Sequence, residues 1–200
     1  MNVFIVYAHP SSDSFTYMAK EEFIRGLLDA GHTYELSDLY AMQFNETMSE
    51  DEYLREGYYD ESKSILADVL EEQRKINDAS VIVFIYPVFW TEAPAKLVGW
   101  FQRVWTYGYA YGPEISMKQL EKAIFFVTMG ANTQDKIRQE QVEAMKIIML
   151  GDRIHTRAKN KKMHIFDQMT RGYGNDENRT ENQKKYLAQI YQMGKELTKN

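Results

Sequence analysis

The 200-residue chain contains no cysteine. That absence excludes disulfides, thiolate metal centres and cysteine nucleophiles, and it fits a reducing compartment. Positive charge is also scarce: 24 Lys and Arg stand against 29 Asp and Glu, for a net charge of -5. No global field then attracts phosphates, so a nucleic-acid partner is not expected. Long apolar runs are missing too. The longest, Val81 to Trp90, is interrupted by Pro87 and falls far short of a membrane span. The start, Met1-Asn2-Val3-Phe4-Ile5-Val6-Tyr7, has neither the basic region nor the small-residue cleavage site of a signal peptide. The expectation is a cytoplasmic protein that is not integral to a membrane. No G-x-G-x-x-G, P-loop or G-x-S-x-G elbow occurs. The four histidines (His9, His32, His155, His164) lack metal-ligand spacing, so no metal is expected.

What is present is an alternation of strand-like and helix-like segments. The composition, 44% hydrophobic and 26% charged, suits one domain over residues 1–200. Val3 to Tyr7 reads as a buried strand. Phe15 to Ala30 carries Met18, Phe23, Leu27 and Leu28 at helical spacing, and Gly31 ends it. Thr33 to Leu36 is more polar and reads as an edge strand. Ser49 and Glu52 form a capping-box pair for a short helix over 50–57. Its acidic start, Glu50-Asp51-Glu52, suits a helix N-terminus better than a metal.

Ser62 to Asn77 places Ile65, Leu66, Val69, Leu70 and Ile76 on one helical face. Strands follow at Val81 to Tyr86, Ala123 to Thr128 and Met163 to Phe166, with helices over Ala93 to Trp105 and Gln134 to Leu150. Thr180 and Gln183 are expected to cap the last helix, and the basic stretch Arg153 to Lys162 to be a solvated loop. The pattern predicts an α/β fold with a parallel sheet and helices on both faces.

Three loops carry candidate chemistry. His9-Pro10-Ser11-Ser12-Asp13-Ser14-Phe15-Thr16 links the first strand to a helix start, where free amides and the dipole attract phosphate. A plain helix cap at Asp13 or Ser14 is the alternative. Tyr86-Pro87-Val88-Phe89-Trp90-Thr91 sets flat aromatics after a buried strand, with Pro94 opening the next helix; Trp100, Phe101 and Trp105 read as core. Thr128-Met129-Gly130-Ala131 offers close backbone approach or a positive φ at Gly130, and successive amides for negative charge. An ordinary turn is the alternative. All three fall on the carboxyl edge of the sheet, where α/β proteins bind ligands. Tyr107-Gly108-Tyr109-Ala110-Tyr111-Gly112 reads as a pocket lining or a subunit contact.

Tyr7-Ala8-His9-Pro10 with Ser14-Phe15, Tyr86 to Trp90 with Pro94 to Val104, Gly108 to Tyr111, and Thr128 to Ala131 together resemble the NAD(P)H:quinone oxidoreductase family. The resemblance spans most of the chain, the C-terminal quarter matching poorly. It implies a flavodoxin-like three-layer sandwich with a five-stranded sheet of order 2-1-3-4-5, a homodimer, and a flavin at the carboxyl edge. FMN is the expected flavin and FAD the alternative, with Arg179 available to an adenine nucleotide. NAD(P)H serves as a transient reductant and a quinone, azo or nitro compound as the small-molecule acceptor.

Carried over by position, His9, Ser14, Phe15 and Thr16 hold the phosphate side, and Pro87, Val88, Phe89, Trp90 and Thr91 line the isoalloxazine. Thr128, Met129, Gly130 and Ala131 meet its pyrimidine edge, and Tyr111 faces substrate across the interface. Met129 and Ala131 replace the family's usual threonine and glycine, and Gln134 to Met149 holds no counterpart of its assisting tyrosine and histidine. Backbone amides, or Lys136 or Arg138, must then meet charge at the flavin N1 side. The alternatives are a regulatory subunit of a potassium-efflux system and a flavodoxin-type electron carrier.

Overall fold

A computed structural model describes residues 1–198. Five strands, β1 (Asn2–Tyr7), β2 (Thr33–Asp38), β3 (Val81–Pro87), β4 (Leu120–Thr128) and β5 (Ala158–Phe166), form one parallel sheet. Its order is β2-β1-β3-β4-β5, with the polar strand β2 at an edge as expected. Every residue of β3 is buried, because helices cover both faces of the sheet.

Alternation along the strands divides the core in two. Val3, Ile5, Val81, Val83, Ile85 and Phe126 pack with Phe15, Ala19, Phe23 and Leu27 of α1 (Phe15–Asp29) and with Ile190 of the last helix. The opposite residues Phe4, Val6, Ile82, Phe84 and Phe125 meet Leu97, Trp100, Phe101 and Val104. These four lie on α4 (Ala95–Val104), which follows α2 (Glu50–Gly57) and α3 (Ala67–Asp78). Trp100 is fully buried, and its Nε1–H donates to the Glu72 carboxylate at 2.7 Å. Glu72 also accepts from Ser37 and Lys75, so the buried charge is paired. Trp100 and Phe101 are core, as expected, whereas Trp105 is only partly buried and packs against that core.

Four segment assignments need correction. Ser62–Leu66 is not helical: α3 starts at Ala67, with Leu66 as its N-cap, and Leu66 and Leu70 are exposed. The helix expected to run to Leu150 is α5 (Lys136–Lys146), continued by a π-helix over Ile147–Ile154. The wider turn re-phases the apolar residues, burying Met149 and Ile154 while exposing Ile147. The basic stretch is not all loop, since Ala158 to Lys162 is the first half of β5, an edge strand. Such lysines protect an open edge. Finally, α6 (Asp176–Lys195) begins four residues before Thr180, whose hydroxyl donates to the Asp176 carbonyl; Asn175 is the N-cap. Among the described residues no helix is long and apolar enough to cross a membrane.

Candidate functional site

The turn after β1 leads into α1 through Ser14, whose extended backbone (φ -144°) and side-chain oxygen cap the helix by accepting from the Tyr17 amide at 3.0 Å. As the first two residues of the helix, Phe15 and Thr16 have amides with no acceptor among the described residues. No acidic residue occupies the first turn, so the positive end of the helix is not neutralised. His9 Nδ1 accepts from the Ser11 amide at 3.0 Å, and burial holds the imidazole pKa below its ordinary value. A neutral ring with Nδ1 as acceptor carries its proton on Nε2, which is then a donor. Arg171 forms an ion pair here, donating to the Asp13 carboxylate at 3.1 Å and to the Asp13 carbonyl.

The β4 loop is braced from two sides. Thr128 Oγ1 is hydrogen-bonded to Thr16 Oγ1 at 2.7 Å, in a buried link to α1. The Met129 amide donates to the Phe166 carbonyl, and the Met169 and Gln168 amides donate back to Met129 and Ala131. Asp167 locks the clamp: it accepts from the Thr133 amide and hydroxyl at 2.8 and 2.7 Å and from Tyr186 at 2.8 Å. Burial alone raises the Asp167 pKa, but these hydrogen bonds hold it below the usual carboxylate value. The amides of Gly130 and Ala131 remain without protein acceptors. Gly130 has no left-handed φ; it is needed for close approach, since a Cβ there collides with the Thr170 hydroxyl.

The β3 loop is built differently. Val88 donates to the Thr128 carbonyl, and Phe89 and Glu92 exchange backbone hydrogen bonds at 2.9 and 3.1 Å, closing a tight hairpin. At its tip Trp90 has φ +62° and is 95% exposed; Phe89 is 45% exposed.

The three loops meet at a cavity of about 270 Å³. Of the expected residues, His9, Ser14, Phe15, Thr16, Pro87, Val88, Thr128, Met129 and Gly130 line it. Phe89, Trp90, Thr91 and Ala131 lie outside its lining, as do Lys136 and Arg138. Tyr111 is elsewhere: its hydroxyl donates to Glu56 at 2.7 Å, and its ring meets Tyr107 edge-on at 5.7 Å. Tyr109 is core, donating to the Gln73 carbonyl. Sequence reasoning missed Met169 and Arg171, which line the cavity with Arg179 and Asp13. They follow β5, whose carboxyl end was legible, so that strand end was the available signal.

A doubly wound parallel sheet of order 2-1-3-4-5, with its cavity at the first strand's helix start, defines a flavodoxin-like protein. The chain belongs to the flavodoxin-like fold family, whose model matches residues 1–190. Within it the chain groups with the NAD(P)H:quinone oxidoreductases. It is 39% identical to the NAD(P)H:quinone oxidoreductase from Methanothermobacter marburgensis, with a TM-score of 0.90 over 98% of this chain and 96% of that one. It is 33% identical over 149 residues to NAD(P)H dehydrogenase (quinone) 1 of Cavia porcellus, covering 64% of this chain but 53% of that protein. An uncharacterized NAD(P)H oxidoreductase of Haemophilus influenzae is 30% identical over 72% of this chain and 71% of its own length. The chain spans about half the length of the mammalian relatives it matches first.

Proposed function

We propose that the carboxyl-edge cavity holds a flavin, FMN before FAD, and that the protein is an NAD(P)H oxidoreductase reducing quinones or similar azo and nitro acceptors. The observation that carries the reading is the convergence on one cavity of Phe15, Thr16 and Gly130, whose amides have no acceptor among the described residues, beside His9 and Arg171. That donor set suits a phosphate at one end and an electron-rich ring edge at the other.

A flavin bound there supplies the redox chemistry, taking a hydride from NAD(P)H and delivering two electrons to the acceptor. The chain's own residues bind and orient. The amides of Phe15 and Thr16, with His9 Nε2–H, would hold the phosphate, with Arg179 and the Asp13-paired Arg171 also in the lining. The Gly130 amide, with that of Ala131 next to it, would meet negative charge on the ring edge. Pro87 and Val88 would form a wall against one end of the ring, with the Phe89 to Thr91 hairpin extending it beyond the cavity lining.

The exposed Trp90 and Phe89, together with Tyr53, Tyr58 and Tyr59, support a homodimer in which Tyr111 faces the acceptor from across the interface. Burial and Glu56 raise the Tyr111 pKa, so its phenol stays protonated at neutral pH, with that proton donated to Glu56. The absence of cysteine supports a cytoplasmic setting.

Purification tests the reading. The expected protein is yellow, releases FMN by mass analysis, is bleached by NAD(P)H without oxygen, and recovers its colour on adding a quinone. A colourless protein that binds no added flavin overturns it, and a yellow protein that NAD(P)H cannot reduce points to an electron carrier.

A further inference from the structure

A second cavity, of about 340 Å³, lies at the ends of β1 and β2 and shares His9 with the first. In the parallel register Tyr7 stands directly beside Asp38. Tyr7 is 2% exposed, lines this cavity, and its hydroxyl has no hydrogen-bond partner. The nearby Ser14 hydroxyl donates to the Ser11 carbonyl and accepts from the Tyr17 amide, and it partly offsets the effect of burial on the Tyr7 phenol without closing a hydrogen bond to it. Burial raises the Tyr7 pKa, which keeps the phenol protonated and a donor.

Asp38 uses Oδ1 to accept from the amides of Tyr40 and Ala41, at 3.2 and 3.0 Å, while Oδ2 accepts from no protein group. The nearby lysines are paired elsewhere: Lys20 with Glu21, lying over the Tyr7 and Tyr17 rings, and Lys96 with Glu46. A buried hydroxyl and a carboxylate oxygen without an acceptor role among the described residues therefore belong to register neighbours that line one cavity, with Pro10 and the Tyr40 ring as apolar walls.

A carboxylate at the end of the strand next to the phosphate-binding strand is how doubly wound folds hold the hydroxyl pair of an adenosine ribose. Such a nucleoside matches this lining. Its diol suits Asp38, and its base suits an aromatic wall. We propose that this second cavity binds the adenosine ribose of an adenine dinucleotide, with Asp38 accepting from the diol and Tyr7 donating to a ribose oxygen. The dinucleotide is either the reductant NADH or FAD itself; the proposal rests on the flavin reading of the first cavity. A phosphate added to the diol meets the Asp38 carboxylate, so NADH is preferred over NADPH.

The test uses steady-state kinetics of the holoprotein with NADH, NADPH and reduced nicotinamide mononucleotide, which lacks the adenosine, and AMP as the free probe. AMP is expected to compete with NADH and not with the mononucleotide. Asp38→Asn keeps the Oδ1 acceptor and loses the charge. It is expected to shift the ratio of the NADH and mononucleotide KM values about tenfold against NADH, and to narrow the preference over NADPH. Tyr7→Phe, which keeps the buried ring, shifts the ratio the same way by a smaller factor.

If the released flavin is FAD, and Asp38→Asn weakens flavin retention while the donor ratio holds, the adenosine bound is the flavin's own. If AMP does not compete, and neither variant changes donor ratio or flavin retention, the site is overturned. Wild-type flavin content and mononucleotide turnover then still report on the first cavity separately.

Discussion

At the β1 and β4 ends of the sheet each loop is tied to another. Thr16 bonds to Thr128, Met129 to Phe166 and Met169, and Asp167 to Thr133 and Tyr186. At the β3 end the hairpin bonds mainly to itself, and its Trp90 side chain stands in solvent. The first half is braced within one chain, and its Phe15, Thr16, Gly130 and Ala131 amides have no acceptor among the described residues. The second is an apolar surface whose large rings touch little. Preorganisation on the proposed phosphate side, and openness on the proposed ring and acceptor side, would suit a tightly held cofactor and exchangeable substrates.

The largest expected effect breaks the braced half. Phe15 is 5% exposed and packs on Phe166 and Tyr186 at ring distances of 6.3 and 6.2 Å, joining α1, β5 and α6. Phe15→Ala is expected to cost about 3–5 kcal/mol in urea unfolding and to release the flavin. A loss below about 1 kcal/mol would show that the bracing is weaker than its contacts suggest.

Acid should loosen the same half next. His164 packs against Phe126 at 5.7 Å, and burial, with Lys162 adding to it, lowers its pKa from 6.5 to about 4. Protonation therefore favours the unfolded chain. The stability is whole above pH 6.5 and is lost as pH falls from there toward 4. The loss is about 2–3 kcal/mol at most, reduced because the ring is not fully buried. Urea titrations between pH 7 and 4 measure it, and His164→Gln is expected to remove most of the slope. Asp167, held low by its hydrogen bonds, contributes only below its ordinary carboxylate range.

A smaller effect separates close approach from backbone freedom at Gly130. Gly130→Ala sets its Cβ against the Thr170 hydroxyl, so flavin affinity should fall about tenfold. Thr170→Ala in the same chain should restore most of it. No rescue would assign the defect to the backbone instead.

Much of this comparison was legible in the sequence. The capping box at Ser49 and Glu52 is satisfied in both directions, and the three carboxyl-edge loops converge as strand alternation implied. What escaped was long-range or phase-dependent. Arg171 joins the cavity by pairing with Asp13, 158 positions away, which no local pattern encodes. Ile65, Leu66 and Leu70 mimicked a buried face, yet Leu66 and Leu70 are exposed, because an apolar stripe does not say which stripe the sheet will cover. The π-helix at Ile147–Ile154 breaks the 3.6-residue period that placed a regular helix there.

The smallest effect on stability belongs to the open half. Trp90 buries almost nothing in the chain and holds φ +62°, a conformation costly for a bulky residue. Trp90→Ala should leave urea stability at low protein concentration within about 0.5 kcal/mol, because no packed contact is removed. Trp90→Gly relieves the left-handed backbone and should be neutral or stabilising by up to about 1 kcal/mol. Both should lower turnover with a quinone acceptor and weaken self-association measured by sedimentation. Stability unchanged with turnover and association also unchanged would remove Trp90 from the ring wall and the interface alike. A large stability loss would mean that the hairpin is braced after all, and the contrast between the two halves would fall.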